Sequence, residues 1–154
     1  MDIEVPPGEG DRTFLLVSSG GACYALPANQ VRHVVRGLAC HPVPGSSPHF
    51  LGLAQFAGEP LAVLDLHAMA AGAIPQSNHR ATVVLGRGER DSWTAVGLAV
   101  SDALRVQVLG DSGFEARTDG LVAGEITVDG ESVKVVDTAL LLEDRRGGEG
   151  SGNV

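Results

Sequence analysis

The sequence has 154 residues, enough for one domain of ordinary size or for two very small units that share a core. It carries 11 Lys and Arg against 19 Asp and Glu, which gives a formal net charge of −8. A nucleic-acid binder needs a basic face, so this balance argues against one, and an acidic surface is repelled by anionic lipid. Hydrophobic residues make up 44% of the chain, which excludes global disorder.

The termini and cysteines indicate the compartment. No apolar run reaches the roughly 20 residues that a membrane helix needs, and the acidic, proline-rich start is unlike a signal peptide. Two cysteines, Cys23 and Cys40, are too few for a disulfide scaffold. We therefore expect a cytoplasmic protein without direct membrane insertion. Residues 1–11 and 145–154 are predicted to be flexible ends that flank one domain over 12–144.

The apolar runs are short, rich in β-branched residues and bounded by turn formers, a pattern that predicts strands. In chain order the predicted strands cover 13–17, 22–26, 31–36, 50–56, 61–64, 81–86, 93–100, 104–109, 121–128 and 131–136. This pattern is typical of an all-β barrel or sandwich.

Turns and caps separate these runs. Pro27 is expected to end the second strand, because it has no amide to give to a ladder. Asp65 and Asp137 are placed to cap short helices, which gives a first helix that ends at Gly72 and a second over 138–144. The remaining segments are predicted to be connections, namely 37–48, the four-residue turn 57–60 and the polar loop 110–120.

A pattern recurs in the sequence at an offset of 72 residues. Residues 52–66 and 124–138 both read as strand, glycine turn, strand and an Asp that can cap a helix. Two glycines, a Glu, a Val and the Asp coincide in the two stretches. This indicates a duplicated unit such as a pair of related five-stranded barrels, with chance similarity between two hairpins as the alternative.

Metal chemistry is one candidate activity. Cys23, His33, Cys40 and His41, with His49 nearby, include the ligand types that hold zinc. Their spacing contains no pair of cysteines two to four residues apart, so a buried thiol and solvated histidines are favoured over a metal site. A small metal-dependent enzyme is kept as the alternative function.

Other catalytic sets are weaker still. Ser101-Asp102 with His33 or His67 lacks the G-x-S-x-G elbow of a serine hydrolase. Asp65 and Asp137, with Glu59 and Glu131, are better explained as helix caps and turn residues than as paired acid–base groups. No glycine-rich phosphate loop is present. A ligand-binding barrel is disfavoured by an aromatic content of only 4%. A β-rich protein-recognition module therefore remains.

Short motifs follow one another in a definite order along both halves of the chain. The first half supplies Phe14-Leu-Leu-Val, Tyr24-Ala-Leu-Pro, Val31-Arg-His-Val, Val43-Pro-Gly, Gly52, Gly58 and Val63-Leu-Asp-Leu. The second half supplies Val96-Gly-Leu-Ala-Val, Ala103-Leu-Arg-Val, Gly124, Asp129-Gly130, Val135-Val-Asp137 and Leu140-Leu-Leu. In this order and spacing the motifs resemble the CheW family of chemotaxis coupling proteins, and the collinear match covers about residues 13–143.

This resemblance implies an all-β fold of two small five-stranded barrels around a shared hydrophobic core, with short helices and no catalysis or cofactor. CheW-like proteins bridge the cytoplasmic tips of methyl-accepting chemoreceptors to the regulatory domain of the histidine kinase CheA. The receptor's helical hairpin is expected in the groove between the barrels, and kinase contacts are expected at the barrel ends. A related two-component pathway, such as surface motility, is the alternative within the same fold.

Carried over residue by residue, the family's receptor groove falls on seven positions: Val31, His33, Gly52, Ala57, Gly97, Ala103 and Val106. Two valines of this set, Val31 and Val106, would supply apolar contact, while the glycines would let another backbone come near. A core or turn role is the alternative for each position.

Several positions depart from the family pattern. Ala57 stands where the family usually has Arg, Ser101 where it has Asp, and His33 where an acidic residue is common. The loss of Arg removes a bidentate donor. These departures predict an adaptor that engages only one of its two usual partners, receptor or kinase, or that binds the second one, such as the kinase regulatory domain, more weakly.

Overall fold

The computed structural model describes residues 13–45, 47, 49–74, 79–87, 94–109, 115–116, 120–138 and 141. In these ranges the chain forms eleven strands: β1 Thr13–Ser19, β2 Ala22–Pro27, β3 Val31–Arg36, β4 Phe50–Phe56, β5 Glu59–Asp65, β6 Ala81–Arg87, β7 Thr94–Val100, β8 Asp102–Val108, β9 Glu115–Ala116, β10 Val122–Val128 and β11 Glu131–Val136. The described ranges also contain the α-helix α1 Leu66–Ala71, which follows β5, and the 3₁₀ turn Ala28–Gln30, which precedes β3.

All ten predicted strands are present, and Pro27 is the last residue of β2. Asp65 caps α1 through a hydrogen bond from the Ala68 amide at 2.9 Å, and Gly72 ends the helix in the left-handed region, with φ 66°. The predicted capping of the first helix is therefore confirmed. In the predicted second helix, Thr138 and Leu141 are helical, and the other positions from 139 to 144 lie outside the described residues. The predicted flexible ends lie outside them too.

Two predictions about connections were wrong. The predicted loop 110–120 contains β9, which pairs with Gly124 and Glu125 of β10. Two residues are too few to show the alternation from which a strand is predicted. The predicted turn 57–60 is only two residues long, and β5 begins at Glu59. Pro60 is tolerated there because β7 pairs with β5 only from Val63 onward.

The strands form two sheets that exchange strands between the halves of the sequence. The first sheet has the order β8-β1-β2-β11-β10-β9, and the second has the order β3-β6-β7-β5-β4. Each sheet thus combines an antiparallel pair from one half, β1–β2 or β6–β7, with strands from the other half. The hairpins β10–β11 and β4–β5 join through parallel contacts, β11 to β2 and β5 to β7.

The irregularities of the sheets recur at the 72-residue offset. The β4–β5 register skips Leu51, and the β10–β11 register skips Ala123. The edge strands show the same kind of skip. Arg32 in β3 has no residue opposite it on β6, and Leu104 in β8 has none opposite it on β1.

Two backbone hydrogen bonds also repeat at this offset. The amide of Asp65 donates to the carbonyl of His49 at 2.9 Å, and that of Asp137 donates to Leu121 at 2.8 Å. Bulges, registers and these bonds all recur at one offset, which chance similarity between two hairpins does not explain. The structure therefore supports duplication.

The core has three parts. A central cluster takes side chains from both sheets, including Leu15 and Val17 of β1 and Val83 and Leu85 of β6. Alternate residues on the same strands point the other way, so Leu16 joins a cluster within the first sheet. The second sheet has its own cluster: Ala54, Leu61, Val63, Val84 and Ala99. Packing on both faces explains the continuous apolar runs, and the shared core of the predicted fold is confirmed.

The second sheet curls until its two edge strands approach. His41, which follows β3, exchanges backbone hydrogen bonds of 2.8 and 2.9 Å with Leu53 of β4. The rings of His33 and Phe56, also from β3 and β4, lie 5.1 Å apart between centroids. Within the described ranges, no helix is long and apolar enough to cross a membrane.

Candidate partner-binding surface

The strands β3 and β8 are related by the 72-residue repeat, and each lies at one edge of its sheet. Among the described residues β3 pairs only with β6, and β8 pairs only with β1. An ion pair of 3.4 Å joins Arg36, the last residue of β3, to Asp102, the first residue of β8. This ion pair bridges the two sheets at a place that we call the junction, and each of the two strands leaves one edge unpaired in the described ranges.

Three of the seven predicted site residues lie at this junction. Val31 is 9% exposed and belongs to the central core cluster. Ala103 and Val106 are half-buried and pack against the same cluster. These residues combine a core role with partial exposure on β8, as the floor of a groove would.

Two other predicted residues, His33 and Ala57, lie at the edge of the second sheet. Both are exposed, and His33 packs on Phe56, the neighbour of Ala57. Ala57 occupies the first turn position of the β4–β5 hairpin with φ 54°, and Gly58 follows with φ 81°. Positive φ at both positions is the pattern of a type I′ turn, whose ends fit the twist of the flanking strands.

Gly52 and Gly97 are buried, and this chain itself makes the close approach that we expected from a partner. A Cβ on Gly52, which has φ 145°, would overlap the carbonyl oxygen of His41. A Cβ on Gly97 would lie 3.1 Å from a methyl group of Leu61 and 3.4 Å from one of Val63. Both glycines therefore allow internal packing of the second sheet. The seven predicted residues divide among the junction, the edge and the interior.

Ser101 stands where the family has Asp, but the residue that follows it, Asp102, is acidic. The Ser101 amide donates to the carbonyl of Ser18 at 2.8 Å, which fixes the start of β8 against β1. Asp102, one position later, carries the carboxylate and directs it to Arg36.

The candidate zinc ligands divide between the sheets. Cys23 lies on β2 of the first sheet, whereas His33, Cys40 and His41 belong to the second. In the described part of the chain, no three His, Cys, Asp or Glu side chains come together to hold a metal. Burial raises the pKa of the Cys40 thiol. Burial, followed by the charge of Glu131, raises the pKa of Cys23 against a smaller opposing effect of Arg105. Both thiols are therefore poor sources of thiolate.

The candidate acid–base and nucleophile sets have structural partners. Asp65 is fully buried, and its second carboxylate oxygen lies 2.8 Å from Nε2 of His79. The Nδ1 atom of His67 lies 2.7 Å from the hydroxyl oxygen of Tyr24. These contacts hold the loop before β6 and the helix α1 against the sheets.

Sequence reasoning missed three of these contacts: Arg36 with Asp102, Tyr24 with His67, and Asp65 with His79. Their partners are 66, 43 and 14 residues apart in the chain, so no local spacing reveals them. The 72-residue repeat was the one available signal, because it predicts that matching strands occupy matching places.

Comparison with known proteins agrees with this architecture. The model of the CheW-like domain family matches residues 13–146. The chain belongs to the CheW-like domain family. The crystal structure of the scaffolding protein TtCheW from Thermoanaerobacter tengcongensis is similar with a TM-score of 0.66 and 17% identity, over 82% of this chain and 88% of that one. None of the curated protein sequences compared with the chain matches it.

Membership in this family decides between the functional alternatives. This CheW-like chain is not an enzyme, so the metal-dependent enzyme kept as an alternative is wrong. The similarity to TtCheW supports the fold, including two packed sheets with short helical elements.

Proposed function

We propose that this CheW-like chain is a cytoplasmic adaptor that couples the tip of a methyl-accepting chemoreceptor to the regulatory domain of a CheA-type histidine kinase in chemotaxis or motility signalling. The family match over residues 13–146 carries the proposal. The relative with a similar fold is itself described as a scaffolding protein.

The junction of β3 and β8 is the proposed receptor groove. Ala103 and Val106 offer partly exposed apolar surface there, and Leu104 on the same strand is 46% exposed. An amphipathic helix binds such a groove through apolar side chains three, four and seven residues apart. A helical hairpin of a receptor tip has the required shape.

At the β4–β5 turn we propose that this chain binds one of its two partners, receptor or kinase, more weakly than family members with Arg at this position. Ala57 is exposed at its tip but reaches no further than a methyl group. An Arg there would present a fork of donors that matches a carboxylate. We therefore expect weaker binding of one partner, and Ala57→Arg should raise the affinity for that partner about tenfold, as one charge-assisted bidentate contact would.

Two NMR titrations of the isotope-labelled chain test the proposal. One adds a soluble receptor-tip hairpin from the same organism, and the other adds the regulatory domain of its CheA-type kinase. The hairpin should shift signals of β3 and β8, and the kinase domain should shift those of the sheet ends. Shifts from neither partner would overturn the proposal.

A pair of variants locates the groove. Leu104→Glu places a carboxylate at the junction, and Thr127→Glu places the same group on an exposed position of β10. The first should lower hairpin affinity at least tenfold, and the second should leave it unchanged. Equal effects of the two would place receptor binding elsewhere.

A further inference from the structure

The core between the two sheets is nearly symmetric. Leu26 of β2 and Leu98 of β7 lie 72 residues apart in the sequence, and both belong to the central cluster. Val34 of β3 and Val106 of β8 are related in the same way, with Val34 in the cluster and Val106 packed against it. Apolar contacts are not directional. A core of matching apolar side chains therefore holds the sheets together but does little to select one arrangement of them over a slightly shifted one.

A polar contact at the buried Tyr24 breaks this symmetry. The residue lies on β2 and is fully buried, and its hydroxyl oxygen is 2.7 Å from Nδ1 of His67 in α1. The two rings meet nearly edge to face, with 6.0 Å between their centroids and 69° between their planes. The positions 72 residues further along hold Val96 and Ala139, whose side chains have no hydrogen-bonding atom. The same contact therefore cannot form in the other half of the repeat.

The helix α1 is fixed to the second sheet. It follows β5 directly and lies against β5 and β7. At its start, the buried carboxylate of Asp65 accepts from the Ala68 amide with one oxygen, and the other oxygen lies 2.8 Å from Nε2 of His79. These bonds connect the first turn of α1 to the segment that leads into β6. The ring of His67 is thus presented from the second sheet.

The first sheet receives His67 at the turn between β1 and β2. The hydroxyl oxygen of Ser19, the buried last residue of β1, accepts a hydrogen bond of 3.2 Å from the His67 amide. Gly20 in the turn makes room for the imidazole, since a Cβ there would overlap the ring. The hydroxyl of Tyr24 approaches from β2. A single residue of α1 is therefore held by the first sheet at three places.

We infer that His67 is a positioning residue, which through Tyr24 selects a single arrangement of the two sheets. A satisfied hydrogen bond at a buried group adds little net stability, but its distance and direction are lost when the sheets shift. The Arg36–Asp102 pair also joins the sheets, but it is exposed, and an exposed ion pair between flexible side chains constrains them less. The arrangement of the sheets in turn sets the shape of the surface at the junction. The consequence for partner binding rests on the proposed function, whereas the arrangement itself does not.

The double variant Tyr24→Phe/His67→Leu tests the inference. Both polar groups are removed together, so no buried hydroxyl is left without a partner, and the Tm should stay at or above that of the wild type. The amide NMR spectrum should nevertheless show a second set of signals, or signals broadened by exchange, for β3 and β8. Adding Ser19→Ala removes the remaining hydrogen bond to the amide of residue 67 and should increase the second set.

Two control variants separate positioning from packing. His67→Asn places an amide group close to the position of Nδ1, so the Tyr24 hydroxyl keeps a partner and the spectrum should show one set of signals. Leu85→Met changes a fully buried side chain of the central cluster at nearly constant volume, and it should also give one set. A second set for Leu85→Met would mean that any change in this core has the same effect, which would overturn the inference.

Affinity for the receptor-tip hairpin is the second readout. The double variant should bind it about threefold more weakly by titration calorimetry, because only part of its population has the wild-type shape, and His67→Asn should bind as the wild type does. One set of sharp signals from the double variant, at the wild-type shifts of β3 and β8, would also overturn the inference. If the second set is present but the wild-type chain binds no hairpin, the inference stands and the proposed function has failed.

Discussion

Ala57 and Asp129, 72 residues apart in the sequence, hold the same left-handed backbone conformation, with φ of 54° and 51°. Each precedes a glycine with φ 81°, so both hairpins close with the same type I′ turn. Ala57 and Asp129 differ in how well their side chains tolerate this left-handed backbone conformation. Asp accepts it readily, whereas Ala has its Cβ close to a carbonyl oxygen.

Ala57→Asn should therefore stabilise the chain. Asn-Gly is the preferred dipeptide of this turn, and the exchange should raise the free energy of unfolding by about 0.5–1 kcal/mol. Urea denaturation followed by circular dichroism measures it. Asp129→Asn is the matched control and should change stability by less than about 0.3 kcal/mol, because both residues tolerate positive φ. A lower midpoint for Ala57→Asn would contradict the argument.

Gly52 and Gly97 should respond differently to the same substitution. Gly52→Ala meets backbone atoms of His41 and requires positive φ, so it should cost at least about 3 kcal/mol. Gly97→Ala meets the ends of side chains at 3.0–3.4 Å, which can shift, and should cost about 1–2 kcal/mol. Denaturant midpoints of the two variants would show the order, and the reverse order would refute this account of the second sheet.

The fold could be predicted from the sequence to the extent that its causes are local. Apolar runs and turn residues indicated ten strands, and the echo at 52–66 and 124–138 indicated the repeat. The exchange of strands between halves could not be predicted this way, since it depends on parallel contacts such as β5 with β7. The candidate site depends on such contacts. The spacing of the sequence does not reveal that Gly52 packs against the backbone of His41 or that Gly97 packs against Leu61 of another strand.

Asp65 and Asp137 lie 72 residues apart and each precedes a helical residue, but the Asp65 side chain makes more contacts in the described structure. It is fully buried and accepts from the Ala68 amide, and it also holds His79 at 2.8 Å. Asp65→Ala should cost about 2–4 kcal/mol, the sum of a lost cap and of an unpaired buried partner. Asp137 is only half-buried, so Asp137→Ala should cost about 1 kcal/mol. Thermal unfolding of both variants tests the difference, and equal losses would contradict it.

Tyr24 predicts a loss of stability in alkaline solution. Burial, followed by the charge of Asp65, raises the pKa of the Tyr24 phenol above its usual value. The folded state thus holds the proton when the unfolded chain has lost it. This contribution to stability is complete below about pH 10, the ordinary pKa of tyrosine, and declines as the pH rises further.

The measurement is simple because Tyr24 is the single tyrosine of the chain. Absorbance near 295 nm should show that it ionises above the pH at which free tyrosine does. Tyr24→Phe should reduce the fall in denaturant midpoint between about pH 9 and 11, because the ionising phenol is gone. Ionisation at the ordinary pKa in the folded protein would show that Tyr24 is not buried as described.

The exchange of strands predicts that neither half of the chain folds alone. A fragment of residues 1–74 would contain β1–β5, but β2 would lack β11, β3 would lack β6, and β5 would lack β7. Isolated hairpins are marginal in water, and the central cluster needs side chains from both halves. Each fragment should therefore lack cooperative unfolding. An equimolar mixture of 1–74 and 75–154 should recover the sheet signal in circular dichroism and the dispersed amide spectrum of the intact chain. A fragment that unfolds cooperatively by itself would mean that the halves are independent domains, contrary to the observed sheets.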